Sequence, residues 1–156
     1  MEISILAPLN GEQLTSELLT SELLTSEERA ALGVLQQLRP EFSIQELAIK
    51  VARQQEYGYQ LAYLQKEGVC AAVCGFNVGE KLSWGKHIYI DDFVTNSESR
   101  SAGVGKFFLD WVKQYAEKNG CQQVHLGSGV NRFGAHKFYL REGFKISSHH
   151  FMCSVL

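Results

Sequence analysis

Several features that would announce a function class are missing. Nowhere in the 156 residues do about 18 apolar residues follow one another, the run a membrane-spanning helix needs. The opening Met-Glu-Ile-Ser-Ile-Leu-Ala-Pro has neither the positive leader nor the apolar core of a signal segment. A soluble, cytoplasmic protein with no membrane partner is the expectation. Lysine and arginine show no excess: the formal net charge is −2, and no basic stripe exists to draw a nucleic-acid backbone. Cys70, Cys74, Cys121 and Cys153 include no Cys-x-x-Cys pair, and a chain long enough to bury a core does not depend on disulfides. They are expected to be reduced and mostly buried, and no histidine-and-acid set marks one as a nucleophile. The five histidines fall in no His-x-x-x-His or Cys/His zinc spacing, so no metal is expected.

What is present is ordinary globular composition, 45% apolar and 21% charged, read as a single domain over residues 1–156. Residues 2–7 read as a strand ended by Pro8 and Asn10-Gly11. Leu-Thr-Ser-Glu then recurs from Leu14, Leu19 and Leu24. Its period is far below that of repeat architectures, so a local duplication is the reading. Thr25-x-x-Glu28 is a capping box that starts a helix running to Arg39, and Ser43-x-x-Glu46 starts a second running to about Glu56. From Tyr59 the period becomes that of strands, 59–65, 68–78 and 83–94, with turns at 66–68 and 79–81. A helix follows from Gly105 to the stop at Asn119-Gly120. A strand is read at 122–127, a helix at about 133–142 closed by Gly143, and a last strand at 144–155. The order β-α-α-β-β-β-α-β-α-β describes an α/β fold, a mixed sheet with helices on its faces.

The chain is organised around residues 86–106. A strand leads through Arg100 into Gly103 and Gly105, where a helix carrying Phe107, Phe108, Trp111, Val112 and Tyr115 begins. Backbone N–H groups point out of a helix N-terminus, and glycine lets an anion approach them. Arg100 adds a charge-assisted contact to a phosphate. A Walker loop is excluded because Arg100 stands where Gly is required and Phe107 where Ser or Thr is. A dinucleotide fingerprint is excluded because position 108 is Phe.

Arg100-Ser-Ala-Gly103-Val-Gly105 resembles the Arg/Gln-x-x-Gly-x-Gly/Ala signature of the GNAT family of N-acetyltransferases. Ala135-His-Lys-Phe-Tyr139, closed by Gly143-Phe144, resembles that family's second signature. The resemblance covers roughly residues 82–151. It implies the GNAT acyl-coenzyme A N-acyltransferase fold and acetyl-coenzyme A as co-substrate. It also implies a splay between the strands at 86–94 and 122–127, where the pantetheine arm lies. Cofactor contacts are implied from Val94, Arg100, Ser101, Ala102, Gly103, Val104, Gly105, Lys106 and Phe138. Asn131 is included although it stands one residue earlier than the family's asparagine.

Acetyl transfer to an amine needs a group to take the amine's proton, a donor for the developing oxyanion and a proton for the departing thiolate. Ile-Tyr-Ile-Asp91-Asp92-Phe-Val is similar to the matching stretch of spermidine/spermine acetyltransferases. There the first acid acts as base, with Glu where this chain has the shorter Asp91. As strand neighbours Asp91 and Asp92 are expected to face opposite ways, so only one meets the substrate. The resemblance implies a backbone N–H near 93–95 for the oxyanion and Tyr139 as the acid for the thiolate. Trp84, His87, Tyr89, His149 and His150 are candidate linings of the acceptor pocket. The implied activity is direct attack by a primary amine, small-molecule or peptide, with polyamines among the acceptors; a homodimer stays open. The other readings are a non-catalytic acyl-coenzyme A sensor and a scaffold that uses the Leu-Thr-Ser-Glu repeats to bind a partner.

Overall fold

The computed structural model describes residues 1–14, 23–100 and 103–156. It divides into two compact units, Met1–His125 and Leu126–Leu156. In the first, β1 (Glu2–Ile5) leads to a short α1 (Gly11–Leu14), then α2 (Ser26–Leu38) and α3 (Ile44–Gln55). Strands β2 (Gln60–Lys66), β3 (Val69–Lys81) and β4 (Gly85–Thr95), a 3-10 turn (Ser97–Ser99), α4 (Val104–Lys118) and β5 (Gln123–Leu126), whose last residue opens the second unit, follow. The helix starts stand where the capping boxes put them. Thr25 and Ser43 accept from the N–H of Glu28 and Glu46, and each glutamate returns the bond to the cap's own N–H. Most of the first two Leu-Thr-Ser-Glu copies lies outside the described residues.

The five strands stand in the order β1-β2-β3-β4-β5, the first three pairings antiparallel. One face of the sheet buries Leu61 and Val73 against α2 and α3 through Leu32, Leu35, Leu47 and Val51. The other face meets α4, where Phe76 packs edge-on to Trp111 and Tyr115, and Phe93 to Phe108. At about 25 cal/mol per Å² of apolar surface, these two layers are the main stabilising term. α4 ends as Asn119-Gly120 predicts: Gly120, at φ 72, bonds to Glu117 O, and Cys121 N–H to Ala116 O, a Schellman closure.

Two expectations about the strands are corrected. The β3–β4 turn is not at 79–81, because Gly79 and Glu80 pair with His87 and Lys86. The chain reverses at Leu82, Ser83 and Trp84, and the left-handed residue such a three-residue loop needs is Gly85, at φ 64. Residues 144–155 also form no strand. Their pattern allowed one, but a strand exists only where a neighbour completes its ladder, and no residue of 144–156 is in one.

In the second unit α5 (Phe133–Arg141) ends in another Schellman closure. Gly143, at φ 90, bonds to Leu140 O, and Phe144 N–H to Tyr139 O. The Phe144 ring sits 5.8 Å from that of Tyr139. The Gly-Phe pair is thus a helix stop with its usual apolar clasp.

Candidate active site

The site starts from the exit of β4. Buried Asn96 donates to Cys70 O at 3.0 Å and accepts from Gln37 Nε2 at 3.2 Å and from Glu98 N–H at 3.2 Å. Gln37 also accepts from Ser97 N–H at 2.9 Å. These bonds fasten the turn that delivers Arg100 to the start of α4. Neither anchor was foreseen; Asn96, followed two residues on by Glu98, is a turn signal that could have been read.

Gly103 is the N-cap of α4, left-handed at φ 72 and without a capping side chain. The first intrahelical bond runs from Phe107 N–H to Gly103 O. The N–H groups of Val104, Gly105 and Lys106 therefore lie ahead of it, at the positive end of the helix. A Cβ built at Gly103 meets no atom within 4 Å, so the approach is open and fits a phosphate. The expectation that Gly103 and Gly105 open a helix holds. Ser101 and Ala102 lie outside the described residues. The Val94 side chain packs on the core, which leaves only its backbone to face a ligand. Lys106 reaches Asp110 Oδ2 at 2.9 Å.

The two acids are not arranged as neighbours on a regular strand. Gly75 pairs with Asp92 and Phe76 with Ile90, so Asp91 is the extra residue of a β-bulge. The bulge breaks the alternation: Ile90 and Phe93, three apart, share the face toward α4, and both carboxylates turn toward the other face. Asp92 accepts Arg39 Nε and Nη2 on Oδ1 at 3.0 and 2.7 Å, and the Tyr59 hydroxyl on Oδ2 at 2.8 Å. With both oxygens engaged, Asp92 is anchored by Arg39 and Tyr59. Asp91 stays solvent-facing, and its carboxylate accepts from Asn77 Nδ2 at 2.8 Å. Partial burial raises its carboxyl above the ordinary range and the Asp92 charge adds to this, against the Asn77 bond and Arg39.

Beyond the acids the same face of β3 and β4 carries an aromatic patch. Trp84 stacks on His125 at 3.6 Å and lies parallel to Tyr89 at 6.2 Å; His87 is edge-on to it at 5.0 Å. Lys81 Nζ sits 4.1 Å from the Trp84 ring. Three of the expected pocket residues, Trp84, His87 and Tyr89, are therefore together, with His125 added by β5. Burial lowers the His125 pKa, helped by His87 and Lys81. His149 and His150 belong to the second unit.

Asn131, Phe138 and Tyr139 also lie in the second unit. Asn131 is in the turn in which Arg132 N–H bonds to Gly129 O. On α5 the Phe138 and Tyr139 rings are 5.4 Å apart. Among the described residues no three His, Cys, Asp or Glu side chains gather to hold a metal, and no helix is long and apolar enough to cross a membrane. Cys70 and Cys74 are buried and reduced; burial pushes the Cys70 thiol up to about 11.

A glycine-capped helix following a bulged, acid-bearing strand sets an open anion-binding helix end beyond a solvent-facing carboxylate. The model of the Acetyltransferase (GNAT) family matches residues 21–144. The uncharacterized N-acetyltransferase YhdJ of Bacillus subtilis (strain 168) is 36% identical over 120 residues, 76% of this chain and 84% of that protein. The aminoalkylphosphonate N-acetyltransferase of Salmonella typhimurium (strain LT2) is 34% identical over 62 residues, 40% of each chain. In fold the chain resembles ribosomal-protein-alanine N-acetyltransferase from Brucella melitensis (TM-score 0.71, 14% identity, 99% of both chains). It also resembles aminoglycoside N-acetyltransferase AAC(6')-Iy in complex with CoA (TM-score 0.73, 12% identity, 98% of this chain and 93% of that one). This chain belongs to the GNAT family of acetyltransferases. It is an N-acetyltransferase whose co-substrate is acetyl-coenzyme A.

Proposed function

We propose that the protein acetylates the primary amine of a small cationic acceptor by direct attack in a ternary complex, with Asp91 as the base. The observation that carries this reading is the bulge, which presents Asp91 to solvent beside an aromatic patch while Arg39 neutralises Asp92. A carboxylate with Tyr89 on the same strand face suits a cationic amine. The similarity around Asp91 favours a polyamine among such amines. One domain over residues 1–156 is part of the reading, since the family match runs through both units.

Acetyl-coenzyme A supplies the activated acetyl group. The N–H groups at the start of α4, with Arg100, hold its diphosphate. Asp91, through a water because the side chain is short, takes a proton from the acceptor ammonium. The freed nitrogen attacks the thioester carbon, and as the carbon–sulfur bond breaks it gives up its second proton to solvent, leaving a neutral amide. Asn96 N–H bonds to Ala71 O, so along the antiparallel ladder Val94 N–H points to β3, and those of Phe93 and Thr95 point to the strand's other edge. One of these two is the oxyanion donor. Tyr139 returns a proton to the thiolate.

Thiol release measured across spermidine, 2-aminoethylphosphonate and an aminoglycoside tests the acceptor class. Asp91→Asn is expected to lower kcat by about 100-fold or more with acetyl-coenzyme A affinity unchanged. Undiminished turnover in that variant removes Asp91 from the mechanism, and no release with any amine rejects the acceptor class.

A further inference from the structure

Asp91 does not stand alone. It sits at the end of a chain of contacts of which the acetyl-transfer reading uses only the Arg39–Asp92 pair. Arg39, the C-cap of α2, donates twice to Asp92 Oδ1, and its Nη2 lies 3.4 Å from the main-chain O of Asp91. Tyr59 donates to the other oxygen of Asp92 and lies over Gly75, where a Cβ would overlap the phenol. Gly75 is the residue paired with Asp92 on the far side of the bulge. A helix end, the residue before β2 and a bare spot on β3 therefore converge on the residue next to the base. We infer that Arg39 and Asp92 are positioning residues that hold the bulge and set the ionisation of Asp91. This inference rests on the reading of Asp91 as the base.

The groups facing Asp91 are few. Asp92 comes from its own strand, Arg39 from α2, Asn77 and Cys74 from β3, and Tyr59 from the start of β2. Burial keeps the Cys74 thiol and the Tyr59 phenol protonated, so neither brings charge. The field on Asp91 is that of one pair: a negative Asp92 disfavours its ionisation and a positive Arg39 favours it. The arrangement makes a signed prediction, because deleting either charge unmasks the other. A scaffold role for the same contacts predicts two variants that lose stability in the same sense and move no titration.

The test is the pH profile of kcat/KM for the full chain with its best amine. Asp91→Asn is run first and is expected to abolish the acidic limb; a retained limb overturns the base reading itself. With that limb assigned, Arg39→Gln is expected to move it to higher pH and Asp92→Asn to lower pH, each by about one pH unit. Arg39→Lys, which keeps the charge and loses the fork, returns it toward the wild-type position. Should Arg39→Gln fail to fold, Asp92→Asn decides by itself. Limbs unmoved, or displaced in the same direction, overturn the inference and leave the base reading intact.

Discussion

At the scale of single residues, the least conspicuous letter in the site is Gly75. A strand interior has little use for glycine unless backbone or a side chain must come close, and here the Tyr59 ring occupies the space. Gly75→Ala is therefore expected to destabilise the protein by about 1–3 kcal/mol. Denaturant melts check this, with an unchanged midpoint arguing that the ring moves aside freely. The pKa shift on Asp91 sets a second expectation. A base whose carboxyl is raised is protonated over a wider acid range, so the acidic limb of kcat/KM lies above the ordinary carboxylate value. That Asp91 and Asp92 are two adjacent acids near the end of a strand was legible in the letters. Their shared face was not, because one extra residue on β4 is decided by which β3 residue each strand position pairs with.

At the scale of elements, helix ends were the most legible features. Capping boxes and Schellman closures are made within a few residues, so neighbouring letters settle them, as at Thr25, Ser43, Gly120 and Gly143. The head of α4 belongs to the same group and brings a binding prediction. Arg100→Ala is expected to raise the acetyl-coenzyme A Kd by about tenfold or more, the worth of one charge-assisted hydrogen bond. Calorimetry showing equal affinity contradicts the phosphate role. On α5, Tyr139→Phe is expected to lower kcat well beyond any change in cofactor Kd; full turnover in the variant assigns the thiolate's proton to another donor. Turns between strands were less legible. Gly79 and Gly85 both offer a reversal, and only the ladder between β3 and β4 chooses the second.

For the whole molecule, binding and folding are linked. A ligand that recognises only the folded chain stabilises it by about 2.7 kcal/mol at 100 times its Kd. Acetyl-coenzyme A at that ratio is thus expected to raise Tm, and Gly103→Val is expected to lose the shift, since its side chain fills the approach to α4. A full shift in that variant moves the diphosphate elsewhere. By itself the sequence determined the family, the order of most elements, the caps and the glycine-led start of α4. These follow from contacts between residues close in the chain. Only the tertiary structure decided that Asp92 is an anchor and Asp91 the open acid, that Arg39 and Tyr59 belong beside them, and that residues 144–156 form no strand. Each of those outcomes depends on partners tens of residues away, or on their absence, and such pairings are settled by packing and ladder register.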